Sequence, residues 1–168
     1  MKLVGIDIAK YKHAAFIMDA STGESLCDPF LFKNNKDGFQ KFYDELNKYT
    51  QDELLIGMED TGHYNFAIES CLLAKGYKVA LINPITTKNL RKASLKTVKS
   101  DKEDAILITK ALLDKDYYRI ISIQDEKLKE AKELTRYRTQ LTIEMNRKKN
   151  ILQRHIDIVF PEFNTLFN

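Results

Sequence analysis

Cysteine is nearly absent from the 168 residues: Cys27 and Cys71 are the only two. Two thiols cannot build a disulfide framework or a four-ligand zinc site, and both read as buried apolar residues. No stretch reaches the roughly 18 apolar residues needed to cross a bilayer. The opening MKLVGIDIA lacks the small-residue cleavage site of a signal peptide and reads as a strand. These absences exclude a secreted mini-protein, a membrane protein and a zinc finger, and they predict a reduced, cytoplasmic compartment. Internal repeats and low-complexity tracts are missing too. What is present is an ordinary globular balance, 43% hydrophobic and 30% charged, which argues against disorder. The length allows one core plus an appendage.

The net charge of +3 conceals an asymmetry. Residues 1–84 carry 9 basic and 12 acidic side chains, whereas residues 85–168 carry 18 and 12. A polyanion would therefore be met by the second half, although a well-solvated, lysine-rich helical surface has the same balance.

Along the chain, residues 2–9 (KLVGIDIA), 12–19 (KHAAFIMD) and 25–33 read as three strands, with turn residues ASTGE between the last two. Strands joined this tightly are expected to be antiparallel neighbours. Phe39, Phe42, Tyr43 and Leu46 then fall at i, i+3, i+4 and i+7, an amphipathic helix. LLIGM at 54–58 and YKVALIN at 77–83 are apolar runs typical of strands buried on both faces. Residues 64–75 between them read as a helix with Gly76 at its C′ position. A mixed α/β sheet with helix-covered faces follows.

Residues 85–100 read as a loosely held basic segment, with Leu90 and Leu95 as its main apolar anchors. Ser100 and Glu103 form a capping box, so a helix through 105–113 is expected, followed by an apolar connector at 117–123. Residues 124–156 contain no proline or glycine and read as one helix of about thirty residues, roughly 45 Å. Leu128, Leu134, Leu141, Met145 and Leu152 mark a seam for a partner helix in cis or in a coiled coil.

Four carboxylates stand out. Asp7 is read in the middle of the first strand between Ile6 and Ile8, where a charge is costly unless paired. Glu59 ends the fourth strand. Asp101 and Asp104, three residues apart, share one face of a helix's first turn. Singly, each has a plainer explanation: backbone-bonded strand ends, a helix cap, or complements to a helix dipole. Together they would repel unless cations bound between them. Hard oxygen ligands select Mg2+ or Mn2+, and two such ions about 3.5–4 Å apart serve in-line displacement at phosphodiesters. Lys88, Arg91, Lys92, Lys96 and Lys99 would hold the phosphate backbone, joined by Arg147, Lys148 and Lys149 on the long helix.

GIDIAK at 5–10, GMEDTGHY at 57–64 and KSDKEDA at 99–105 resemble the motifs of DEDD-type insertion-sequence transposases, a bridge-RNA-guided recombinase family. The resemblance covers the whole chain, with the three motifs in the family's order. It implies an α/β fold: a RuvC-like, ribonuclease H-type mixed sheet with flanking helices over 1–123, then a long helical coiled-coil arm over 124–168. By position, Asp7, Glu59, Asp101 and Asp104 match the catalytic carboxylates that bind Mg2+ (or Mn2+) as two ions. The implied activity is metal-dependent cleavage and exchange of DNA strands in insertion-sequence transposition. The implied partners are DNA, a structured guide RNA and further copies of the chain joined through the helical arm. The implied place is the bacterial cytoplasm, at the nucleoid when active.

In that family a serine of a separate C-terminal domain is the nucleophile. No serine here matches it, since Ser94 and Ser100 lie in the basic segment and the cap. Phe160, Phe163, Leu166 and Phe167 suggest a chain cut before its next domain, expected to be inactive in recombination alone. Asp60 and Asn65 depart from the family pattern beside Glu59 and leave the carboxylates in place.

Rival readings are a sugar-kinase or actin-like ATPase, a stand-alone RuvC-like junction resolvase, and a non-catalytic nucleic-acid-binding or oligomerisation module. The first needs a second glycine-rich phosphate loop, for which six glycines leave little room. The second usually lacks a long helical arm. Metal binding at the four carboxylates separates the third. His63 could contact a phosphate or a metal-bound water, or simply pack; His13 and His155 are weaker candidates. Tyr64, Tyr137 and Arg138 could stack on bases, but helix packing explains them equally well.

Overall fold

The three extended segments at the start of the chain fold into β1 (Lys2–Asp7), β2 (Lys12–Asp19) and β3 (Phe30–Lys33), paired antiparallel in sequence order. The computed structural model describes residues 1–60, 64–93 and 100–166, apart from the side chains of Glu126 and Asn164. Gly23, at φ 72°, closes the turn after β2. Ser25 meets Met18 in an isolated bridge, so the extended run expected from residue 25 becomes a regular strand only at Phe30. Asp7 is the last residue of β1 and not its middle.

The sheet then turns parallel. β1 pairs with β4 (Leu54–Glu59) and β4 with β5 (Lys78–Ile82), both in parallel. β6 (Tyr118–Ile121) closes the edge antiparallel to β5, giving the order β3-β2-β1-β4-β5-β6. The apolar connector expected at 117–123 is therefore largely a strand. It is four residues long at a sheet edge, with Arg119 and Ile120 exposed, so it gives no full period of alternation.

Both faces of this sheet are covered, which is why its central strands are apolar throughout. On one face, Val4, Ile6, Ile56, Met58 and Val79 pack with α1 (Lys36–Leu46) and α2 (Phe66–Ala74) through Phe42, Leu46, Ile68 and Leu72. Asn35 caps α1 by accepting the Gly38 amide at 2.9 Å. On the other face, Leu3, Phe16, Leu55, Ala80 and Ile82 pack with Ala105, Ile108, Ala111 and Leu112. Cys27 and Cys71 are half-buried at the edge of the first cluster. His13 is buried against Phe32 and Phe39, a core histidine whose pKa is lowered by burial.

The basic segment is not loosely held along its whole length. Pro84–Ala93 is helix α3, begun by a proline whose fixed φ and missing N–H suit the first helical position. Residues 94–99 lie outside the described residues. α4 (Asp101–Ala111) follows, N-capped by Ser100, whose side chain accepts the Glu103 amide at 3.2 Å. The chain divides into two units, Met1–Ile123 and Gln124–Asn168. The second is dominated by α5 (Ile123–Val159), 37 residues and about 55 Å long, with the short α6 (Phe163–Leu166) after it. Leu128, Leu134, Leu141, Met145 and Leu152 are all exposed along α5. Among the described residues, no helix is long and apolar enough to cross a membrane. The architecture is thus an α/β mixed sheet with flanking helices and a long C-terminal helix.

Candidate functional site

Strand periodicity decides where the acids point. Leu3 and Leu55 belong to the α4 face, so two-residue alternation puts Gly5 and Asp7, and Gly57 and Glu59, on that face as well. Gly5 and Gly57 are direct partners in the parallel β1–β4 register. A side chain at Gly5 would strike backbone, and one at Gly57 would displace Leu112. A Cβ on Gly5 would lie 2.5 Å from the Ala105 carbonyl oxygen, and one on Gly57 2.6 Å from Leu112 Cδ2. The glycine pair is a trough that lets α4 sit close on the sheet. That seating brings the acidic first turn of α4 to the ends of β1 and β4, where Asp7 and Glu59 emerge.

Asp7, Glu59, Asp101 and Asp104 line one cavity of about 400 Å³, completed by Pro84, Thr87, Lys88 and Arg91 of α3. Asp104 is 9% exposed and is the most enclosed of the four acids. Its Oδ1 lies 2.5 Å from Arg91 Nη2. The Thr87 hydroxyl hydrogen-bonds Glu59 Oε1 and lies 3.0 Å from the Pro84 carbonyl oxygen. Lys12 Nζ stands 3.5 Å from Asp101 Oδ2 at the solvent side. Burial pushes the Asp7 carboxyl up to about 7; Asp104, Asp101 and Glu59 add to that in turn, and Arg91 opposes it. The cavity therefore has more negative charge than the protein neutralises.

Among the described residues the donor set fits a hard divalent cation: four carboxylates, no thiolate, no imidazole. The side chains as they stand are not a closed ligand shell, since among the described residues no three of His, Cys, Asp and Glu are grouped tightly enough to hold one ion. Arg91, Thr87 and Lys12 are the partners of Asp104, Glu59 and Asp101.

Of the basic candidates, Lys88 and Arg91 line the cavity. Lys92 is exposed on the last turn of α3 and is not part of the cavity wall. Lys96, Lys99 and Ser94 lie outside the described residues, as do His63 and its neighbours at 61–62. Arg147, Lys148 and Lys149 are exposed on α5, in the second unit. Sequence reasoning missed Thr87 and Lys12. Thr87 had a signal: Pro84, Thr87, Lys88 and Arg91 recur at i, i+3, i+4 and i+7, one helical face. It also missed Arg119, whose Nη2 lies 3.9 Å from Asp60 Oδ2, on the wall of a second cavity of about 400 Å³.

The family model for DEDD-type transposases of the IS110 group, described as a transposase, matches residues 4–161. The pilin gene-inverting protein of Moraxella bovis is 28% identical over 109 residues, covering 64% of this chain and 33% of that protein. The pilin gene-inverting protein of Moraxella lacunata matches at the same identity and coverage. The chain thus spans about a third of the length of these relatives. The structure of T. thermophilus RuvC in complex with a Holliday junction substrate is similar at a TM-score of 0.46 and 13% identity, covering 65% of this chain and 90% of that one. A likeness so slight leaves the fold to rest on the strand order itself.

Proposed function

This chain belongs to the DEDD-type transposases of the IS110 group, and on that footing we propose that it supplies the carboxylate centre of a DNA transposase or recombinase. The observation that carries the reading is the convergence of Asp7, Glu59, Asp101 and Asp104 on one cavity from two neighbouring strands and one helix. In this reading the four acids hold Mg2+ or Mn2+, as two ions. A divalent ion held by Asp7, Glu59, Asp101 and Asp104 would supply Lewis-acid chemistry at a scissile phosphate. Asp7 and Glu59 are set by the sheet and Asp101 and Asp104 by the capped helix, so the ligands are presented on rigid elements. Lys88 and Arg91 draw a phosphate toward the carboxylates, and Lys92, Lys96, Lys99, Arg147, Lys148 and Lys149 are further candidates for backbone phosphate contacts.

The Moraxella relatives are named for inverting a pilin gene, a rearrangement that needs strand cleavage and exchange; the same class of reaction is proposed here. Guidance by a structured RNA is supported by the family resemblance. Assembly through α5 is supported by its exposed apolar seam, which a second helix would cover. Action at the bacterial nucleoid follows from a DNA substrate. No serine here matches the nucleophile that the family resemblance implies, so in this reading these residues alone form no covalent link to DNA.

The lack of a ready three-ligand group among the described residues favours one second reading, a non-catalytic nucleic-acid-binding module. Calorimetric titration with Mn2+ separates the two. Saturable binding that Asp7→Asn and Asp104→Asn abolish is expected; no binding would leave the module. With labelled DNA and Mg2+ on a denaturing gel, no shifted band is expected from this chain, and one would place the nucleophile within it.

A further inference from the structure

The carboxylate cavity already contains a cation of its own. Arg91 Nη2 is 2.5 Å from Oδ1 of Asp104, and both residues line the cavity. Asp104 is the acid most in need of a counter-charge, because it is the most enclosed, and an enclosed carboxylate without a partner is strongly destabilising. Arg91 is placed differently. Its side chain is 36% exposed against 12% for that of Asp104, so the guanidinium spans from the buried acid to the open side of the cavity.

We propose that Arg91 is a displaceable counter-cation, which neutralises Asp104 until a DNA phosphate draws it away, so that divalent-ion binding and DNA binding are coupled through this one side chain. The inference rests on the four carboxylates being the metal ligands, as argued above. Three features support it. A guanidinium on Asp104 Oδ1 and a divalent ion compete for the same oxygen, and a positive charge in the cavity opposes the entry of another. A phosphate is a better partner than one carboxylate oxygen, since its geometry matches the guanidinium fork in a bidentate way. The helix that carries Arg91 has one buried residue, Thr87. Thr87 is tied to Glu59, so α3 is pinned there, while Arg91, one turn on, is only partly buried.

The coupling must be reciprocal: if DNA tightens metal binding, metal tightens DNA binding by the same factor. Arg91 is thus a positioning residue for the ligands as well as a phosphate contact. A merely structural salt bridge would give no such exchange of partners.

The test is Mn2+ titration calorimetry on the 168-residue protein with and without a short DNA duplex, at fixed ionic strength and corrected for Mn2+ uptake by the duplex alone. In the unaltered protein the duplex should tighten Mn2+ binding on the order of tenfold. Arg91→Gln should bind Mn2+ more tightly than the unaltered protein when DNA is absent, and the duplex should add nothing further. Arg91→Lys keeps the charge without the fork and should restore part of the coupling; it also guards against misfolding of the glutamine variant, checked by circular dichroism. Equal Mn2+ affinity of Arg91→Gln and the unaltered protein without DNA overturns the proposal, as does a DNA effect that survives the substitution. If no form binds Mn2+ under either condition, the carboxylate reading itself is overturned, a result distinct from the first two.

Discussion

Helices α3 and α4 line the same cavity and are held to the protein in opposite ways. α4 buries Asp104, Ala105, Ile108, Thr109 and Ala111 over eleven residues, seated on the Gly5–Gly57 trough. α3, ten residues long, buries only Thr87, with Leu90 partly covered. Their charges are opposed as well: the first turn of α4 carries Asp101, Glu103 and Asp104, and the last turn of α3 carries Arg91 and Lys92. The acidic wall is fixed by packing, whereas the basic wall is fixed mainly by the acids it faces. For a centre proposed to hold metal and admit a polyanion, that division is apt. Ligand geometry tolerates little displacement, while phosphate contacts gain from reach.

The sharpest way to break the contrast is to cut each helix's apolar anchor. Ile108→Ala removes a side chain that is 1% exposed beneath α4 and should cost about 2–5 kcal/mol. Leu90→Ala, on the partly covered α3, should cost about 1 kcal/mol or less. Denaturant unfolding of both variants reads the difference directly. Equal costs would mean that α3 is as firmly seated as α4.

Next in size is the trough. Gly5→Ala would set a methyl group 2.5 Å from the Ala105 carbonyl oxygen, and backbone cannot swing aside as a side chain can. The helix must lift, at about 1–3 kcal/mol for overpacking. Because Asp101 and Asp104 ride on that helix, Mn2+ affinity should fall along with the melting temperature. Lost stability with unchanged affinity would show that the trough does not set the ligands' positions.

The same contrast explains how much the sequence disclosed. β4 and β5 are buried on both faces, so unbroken apolar runs marked them, and the acids ending β1 and β4 stood out against their apolar neighbours. The stripe Phe39, Phe42, Tyr43 and Leu46 announced α1 because it packs into the core. α3 was illegible for the reason that makes it distinctive: with one buried residue it has no apolar period. Once α3 was missed, the bond from Thr87 to Glu59 and the pairing of Arg91 with Asp104 were out of reach, since both depend on which side chains share its inner face. Asp7 was read inside its strand, though the chain leaves the sheet immediately after it.

The smallest expected effect tests the electrostatic side of the comparison. An aspartate in an unfolded chain titrates near 3.8, while burial and the three neighbouring acids hold Asp7 at about 7 in the folded protein. Between those values the folded state binds a proton that the unfolded state does not, so stability falls as pH rises across that window. The contribution is fully present below about 3.8 and gone above about 7. It is modest, because Asp7 is partly solvent-exposed and solvent screens its neighbours' charges. Asp7→Asn cannot ionise, so its melting temperature in a metal chelator should decline less from pH 4 to pH 8, and at pH 8 it should melt above the unaltered protein. Added Mg2+ should reverse that order by stabilising the unaltered protein through its ionised carboxylates. Parallel pH curves for the two proteins, with no reversal on adding Mg2+, would show that Asp7 stands outside the group of acids that the cavity brings together.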